Sequence, residues 1–374
     1  MKLGFVNYSM SRMLLVMINM LIPTALFAQH DSIRFYKGIQ ARLHYGFIFA
    51  HSQAVQNTAG AHPRGVELEP IRQRADTTVW NICHCYPIKG WSFSYFNFNN
   101  HVLGHGLTGA YLLEPAYRIG SKGQFRFRGN VGLSYLTNPY HPQTNPTNMS
   151  YSTRLSGFLR VGAAVTYQLK PKWLLQMGAQ YQHISNGGWK EPNKGINWPT
   201  ASVGVTYFNK PFQLPVYKNL IYKISPQKKP YFEAGLLLAA KQGHQSGGRT
   251  ARTPLIGVLV QAEKQVGRTN AINTGMEFYY DNALKQRLLK DSLSGSACLA
   301  GVLAGHNFLL GKFFFSQHIG VYLFNQTPYY NRIYHRWTLK YQLNRHWLAG
   351  FGLKAHKQVA EFIDLKILYR FKLI

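Results

Sequence analysis

Acidic residues are scarce in this chain: 13 Asp+Glu stand against 42 Lys+Arg, a formal net charge of +29 over 374 residues. An imbalance of that size points to a phosphate-bearing partner. Nucleic acid is one, but no zinc-finger, RRM or helix-turn-helix pattern is present. Cysteine is scarce too, at 3 residues. Cys83 and Cys85 flank His84 and are badly placed to bridge each other in an extended segment; no matching ligand pair accompanies them. Neither a disulfide framework nor a metal site is assigned, and Cys298, in an apolar strand, reads as packing. Long apolar runs are also missing. Past the N-terminus, nothing approaches the roughly 18 continuous apolar residues of a membrane-spanning helix.

The N-terminus itself carries Lys2 and Arg12, then an apolar stretch over residues 13–27 and the small Ala28. This predicts an export signal over 1–28 and a mature chain of 29–374. An exported chain rarely meets nucleic acid, so that partner is set aside. The mature chain is rich in aromatics and glycine, with 24 Tyr, 23 Phe, 7 Trp and 34 Gly counted over the whole sequence. Exported, aromatic and without spanning helices is the profile of an outer-membrane β-barrel. The phosphate-rich partner then becomes the lipopolysaccharide leaflet of a Gram-negative outer membrane.

Period-two alternation supports the barrel over a soluble sandwich. From Trp173 to Ser185 the odd positions read Trp, Leu, Met, Ala, Tyr, His, Ser, while Gln176, Gln180 and Gln182 lie on the even face. From Leu155 to Leu169 the odd face is apolar and the even side carries Arg154, Ser156, Arg160, Thr166 and Gln168. Ile363, Leu365, Ile367, Tyr369 and Phe371 alternate with Asp364, Lys366 and Arg370. Charges on an inward face suit a wet or plugged lumen better than a dry core. About 16 strands are expected in a single antiparallel transmembrane barrel spanning 29–374, with 14 the other even count that fits. Tight turns at Gly120, Lys170, Val266, Leu310 and Asn344 alternate with longer external loops. Two connections, 77–86 and 209–229, break that rule and would each be an unusually long periplasmic link; the second, rich in Pro and Lys, could instead divide the chain into two units.

His183 and Ser185 lie on the lipid-facing side of one strand, at the edge of the glycine-rich loop 186–195. Asn197 emerges on the same face of the returning strand. A serine hydroxyl becomes a nucleophile when a base takes its proton, and histidine does so near neutral pH. A third group fixes the imidazole, and N–H donors hold the oxyanion. Asn186 and Gly187 are the candidate donors. Lys190 and Lys194 are placed to meet phosphates, and Trp189 and Trp198 to anchor at the headgroup level, although parity turns Trp198 to the other face.

The stretch from His183 to Gly195, with Ser185, Asn186, Gly187, Pro192 and Asn193, resembles the PagL-type lipid A 3-O-deacylases and the longer acyloxyacyl-hydrolase-like barrels of Bacteroidetes. Tyr86-Pro87 and Leu103-Gly104 look like the longer members. The resemblance implies a serine esterase needing no metal or organic cofactor. It would remove the ester-linked 3-hydroxyacyl chain at the 3-position of lipid A, with Ser185 as nucleophile, His183 as base and Asn186 at the oxyanion. The family places a catalytic glutamate where this chain has Asn197, an amide that orients an imidazole but does not stabilise an imidazolium as a carboxylate does. Two non-enzymatic expectations stand beside it. One is a pore or scaffold barrel with a basic lumen built from Arg154, Arg160, Lys366 and Arg370; the other is a barrel that binds lipopolysaccharide without cleaving it.

Overall fold

The computed structural model describes residues 35–217, 230–244, 250–357 and 359–372; the expected export signal lies outside them. The strands, in chain order, are β1 (Phe35–Gly46), β2 (Arg64–Arg74), β3 (Ile88–Asn97), β4 (His105–Glu114), β5 (Ala116–Ile119), β6 (Gly123–Leu136), β7 (Leu155–Lys170), β8 (Trp173–Ser185) and β9 (Ile196–Phe208). They continue with β10 (Tyr231–His244), β11 (Thr250–Gln265), β12 (Asn270–Asp281), β13 (Cys298–Leu310), β14 (Phe313–Phe324), β15 (Ile333–Gln342), β16 (Trp347–His356) and β17 (Val359–Phe371). β4 and β5 both lie along β6 and share one strand position, so the strands fill sixteen positions. Every pairing is antiparallel, and no described helix is long and apolar enough to cross a membrane.

The expected strand total is therefore met, but a single closure is not what forms. β1 pairs with β9 to close the first barrel, and β10 pairs with β17 to close a second one of eight strands. Alternation reports which face a residue takes and is blind to which strand closes the ring. Each ring closes by backbone pairing of its own, the second along Phe232–Leu238 of β10 and Leu365–Phe371 of β17. The connection after β9 is where the division falls. Its first residues turn back beneath the first barrel, where Phe212 and Leu214 join an apolar plug with Tyr36, Ile71, Tyr86 and Phe208.

The outward band is apolar around both barrels, with Leu43, Phe93, Leu133, Val161 and Met177 on the first and Ile256, Met276, Ile319 and Phe351 on the second, all exposed. Inside, carboxylates meet cations. Glu67 binds His44 at 3.0 Å and also pairs with Arg160, while Glu114 takes Arg128 at 3.0 Å. In the second lumen Glu277 holds Lys354 at 2.9 Å and Arg336 at 2.5 Å, and Glu233 holds Lys340 at 2.6 Å. Apolar layers lie above and below these pairs. Phe96, Phe98, Phe158 and Trp198 fill the loop end of the first lumen, and a short helix over Asn282–Lys290 drops Leu284 and Leu288 into the loop end of the second.

Three expectations change here. Arg154 does not face a lumen; it is exposed at the rim and donates to Tyr135 Oη at 3.3 Å and to the Thr137 carbonyl at 3.2 Å, because β7 begins only at Leu155. Trp198 is fully buried and no headgroup anchor, whereas Trp189 is exposed. Cys83 and Cys85 do form a disulfide, with Cα atoms 5.1 Å apart. The segment is not extended: a helix over Thr77–Cys83 ends there, and His84 caps it in the left-handed region (φ 50°, ψ 35°), folding the two thiols together.

Candidate functional site

β8 and β9 run side by side with His183 directly opposite Asn197. Parity places both on the outer wall, as it does Ser185. Lower on the same face Met177 and Tyr181 are 63% and 41% exposed, but Ser185 and Asn197 are only 9% and 8% exposed. The polar groups therefore sit in a covered recess at the loop end of an otherwise lipid-facing strand. The 137–154 loop supplies part of the cover: Gly195 N–H donates to the Ser150 carbonyl at 2.7 Å and Lys194 N–H to the Met149 carbonyl at 3.0 Å.

His183 Nδ1 lies 2.7 Å from Asn197 Oδ1. That oxygen only accepts, so Nδ1 carries the proton and Nε2 is left with its lone pair. Asn197 in turn donates from Nδ2 to His51 Nδ1 at 2.9 Å. Gly195 packs against the ring: a Cβ there would come within 2.8 Å of His183 Cε1, and its φ of +81° is one that glycine adopts freely.

Ser185 Oγ accepts from Gly187 N–H at 2.9 Å and from Asn193 Nδ2 at 3.1 Å. His183 and Ser185 are roughly 7 Å apart along the strand, and among the described hydrogen bonds none joins them. Such contacts are often long before substrate arrives and tighten in the reacting complex. Asn186 holds the loop: its N–H donates to Asn193 Oδ1 at 3.0 Å, and its Nδ2 donates to the Lys190 carbonyl at 2.7 Å. Lys190 is exposed and Lys194 half-buried, and neither ammonium has an ion-pair partner among the described residues.

The structure thus gathers His183, Ser185, Asn197, Asn186 and Gly187 at one place, with Lys190 and Lys194 in the loop above. It adds two residues to which the sequence pattern assigns no role. Asn193 touches both Ser185 and Asn186, and its one signal is its place in the Pro-Asn-x-Gly stretch. His51 arrives from the loop after β1, where no periodicity marks it.

Comparison with known proteins gives two adjacent family matches. The family described as lipid A 3-O-deacylase (PagL) matches residues 75–206, and that described as acyloxyacyl hydrolase, C-terminal domain, matches residues 231–373. The first falls within the first barrel and the second covers the second barrel. None of the curated proteins matches the chain. Among solved structures, that of the outer membrane enzyme PagL is similar at 16% identity, covering 44% of this chain and 97% of its own, with a TM-score of 0.34. A Rhodopseudomonas blastica porin variant is similar at 8% identity, covering 91% of this chain and 100% of its own, with a TM-score of 0.19. With one match over each barrel, the chain belongs to the PagL-type family of outer-membrane lipid A deacylases and carries the acyloxyacyl hydrolase C-terminal domain in the same polypeptide.

Proposed function

We propose that this protein is a serine esterase of the Gram-negative outer membrane that removes the ester-linked 3-hydroxyacyl chain from the 3-position of lipid A. The observation that carries the reading is the His183 Nδ1 to Asn197 Oδ1 contact at 2.7 Å, on the outer wall beside a serine that already receives two N–H donors. Ser185 Oγ attacks the acyl carbonyl while His183 Nε2 takes its proton. The carbonyl electron pair moves to oxygen, where the N–H groups of the Gly187-Gly188 turn are the proposed donors. Asn186 and Asn193 hold that turn in shape. Collapse breaks the bond to the sugar oxygen, which receives the proton from His183. Water, deprotonated by the same imidazole, then cleaves the acyl-serine and frees the 3-hydroxy fatty acid.

Asn197 fixes the tautomer but brings no negative charge to the imidazolium, so turnover is slower than a carboxylate would allow. The placement suits the substrate. Acyl tails lie against the apolar outer wall, and the ester, near the headgroup, meets the recess at the loop end. Lys190 and Lys194 face the phosphates. Nine of the 12 acidic residues among the described residues are buried, so the exterior is left strongly basic toward that leaflet.

Mass spectrometry of lipid A from cells making the protein tests this. Loss of one 3-hydroxyacyl chain is expected, and Ser185→Ala restores it. Unchanged lipid A with the wild-type protein folded in the membrane overturns the reading, and tight lipid A binding without product would point to a binder.

A further inference from the structure

The turn after Ser185 does not stand free. A Cβ on Gly187 would lie 2.2 Å from Ile363 Cδ1, and one on Gly188 would lie 2.8 Å from the Glu361 carbonyl oxygen. Trp189 lies under the Arg252 guanidinium, 3.9 Å from carbon to ring centre. Glu191 N–H donates to Gln242 Oε1 at 3.2 Å. All four partners belong to the second barrel: Gln242 on β10, Arg252 on β11, Glu361 and Ile363 on β17. The turn that supplies the donor to Ser185 is therefore seated along its length on the other barrel.

That seat is braced. Lys354 pairs with Phe362 and Ala355 with Ala360, which leaves Glu361 as the extra residue of a bulge. A bulge re-aims a side chain. The Glu361 carboxylate accepts from Lys241 Nζ and from Tyr330 Oη at 2.7 Å, while its carbonyl is left facing Gly188. Lys241 also reaches Asp281 at 2.7 Å, and Asp281 caps the Asn282–Lys290 helix through Leu284 N–H at 3.0 Å. One hydrogen-bonded chain runs from that helix to the residue beneath the turn.

We propose, resting on the ester-hydrolase reading, that the second barrel is a positioning part of the hydrolytic site. Ile363, Glu361, Gln242 and Arg252 hold the Gly187–Glu191 turn at the height where its N–H groups meet the oxyanion formed on Ser185. None of the four touches the reacting atoms. Their contribution is the geometry of the donors, and a misplacement of about 1 Å at such a site costs on the order of a hundredfold in rate.

The test uses the full chain, folded in detergent, with two readouts: hydrogen exchange of the peptide spanning 186–195, and release of 3-hydroxy fatty acid from purified lipid A. The variants are Ile363→Ala, Ile363→Val, Arg252→Ala, Trp189→Ala and the Trp189/Arg252 double change. Ile363→Ala and Arg252→Ala are expected to speed exchange in that peptide and to lower kcat by about tenfold or more. Ile363→Val stays within about threefold of wild type, and the double change is no worse than the worse single one. Exchange and kcat both unchanged overturns the proposal, and so does faster exchange with kcat intact, which would make the contact structural only. Ser185→Ala separates the two ideas. If it abolishes release while the second-barrel variants do not, the positioning role alone fails; if wild type and Ser185→Ala release equally little, the hydrolase reading fails and takes the positioning role with it.

Discussion

In the first barrel Glu67, Glu69 and Glu114 face Arg42, Arg126, Arg128 and Arg160; in the second, Glu233, Glu263, Glu277 and Asp364 face Arg336, Arg370, Lys340, Lys354 and Lys366. One lumen is sealed with guanidinium groups, the other largely with ammonium groups. The apolar lids differ as well: the chain after β9 closes one end of the first barrel, and a helix closes the opposite end of the second. Sealing is thus chemically interchangeable between the two. The outer wall is not. A polar recess interrupts the apolar band at Ser185 and Asn197 on the first barrel, and the second meets that recess with Ile363 and the bulged Glu361. Ion pairs inside hold the walls in shape, and the candidate site lies on the outside of one of them.

Substitutions in either barrel test this contrast. Ser185→Ala is expected to cut fatty-acid release by at least about 10³-fold, measured on purified lipid A, with folding unchanged on heat-modifiability gels. Glu67→Leu and Glu277→Leu each strip buried cations of a partner and should each destabilise the chain by roughly 3–5 kcal/mol in urea titration. A large loss in one barrel with none in the other would show that the two lumens are not equivalent. Asn197→Leu removes the acceptor that fixes the imidazole and should lower kcat by about 10²-fold, while Asn197→Glu should raise it by about tenfold; a Glu variant slower than wild type would argue that His51 requires the amide. Gly195→Ala forces a side chain at φ +81° against the imidazole and should cost about tenfold in kcat. The smallest effect belongs to Lys190→Ala with Lys194→Ala, a rise in KM of up to about fivefold that disappears on dephosphorylated lipid A.

Much of this architecture is legible in the sequence. Alternation assigns the outward face of β8 and β9 correctly, since one residue of slip would bury Met177 and expose Gln180. The same periodicity yields the strand total and the tight turns. It stops at the ring closure, because β1 and β9 meet across more than 150 residues of sequence and no local pattern names that pair. The Cys83–Cys85 bridge escapes for a related reason: spacing says little until the helix end and the left-handed His84 are known. Arg154 falls inward only if β7 is extended one residue too far. At the site, Ser185, His183 and Asn197 follow from parity, but His51 comes from a loop 146 positions away in sequence and only the fold delivers it.

Both rings carry their own seam, β1 to β9 and β10 to β17, and neither lends the other a single strand. A protease nick in the link beyond Tyr217 would consequently leave two separately closed hoops. Their partnership would then depend on lateral contacts such as Trp189 beneath Arg252 and the Arg268 guanidinium on the Asn81 carbonyl, and on the crowding of the membrane plane, with no covalent tether required.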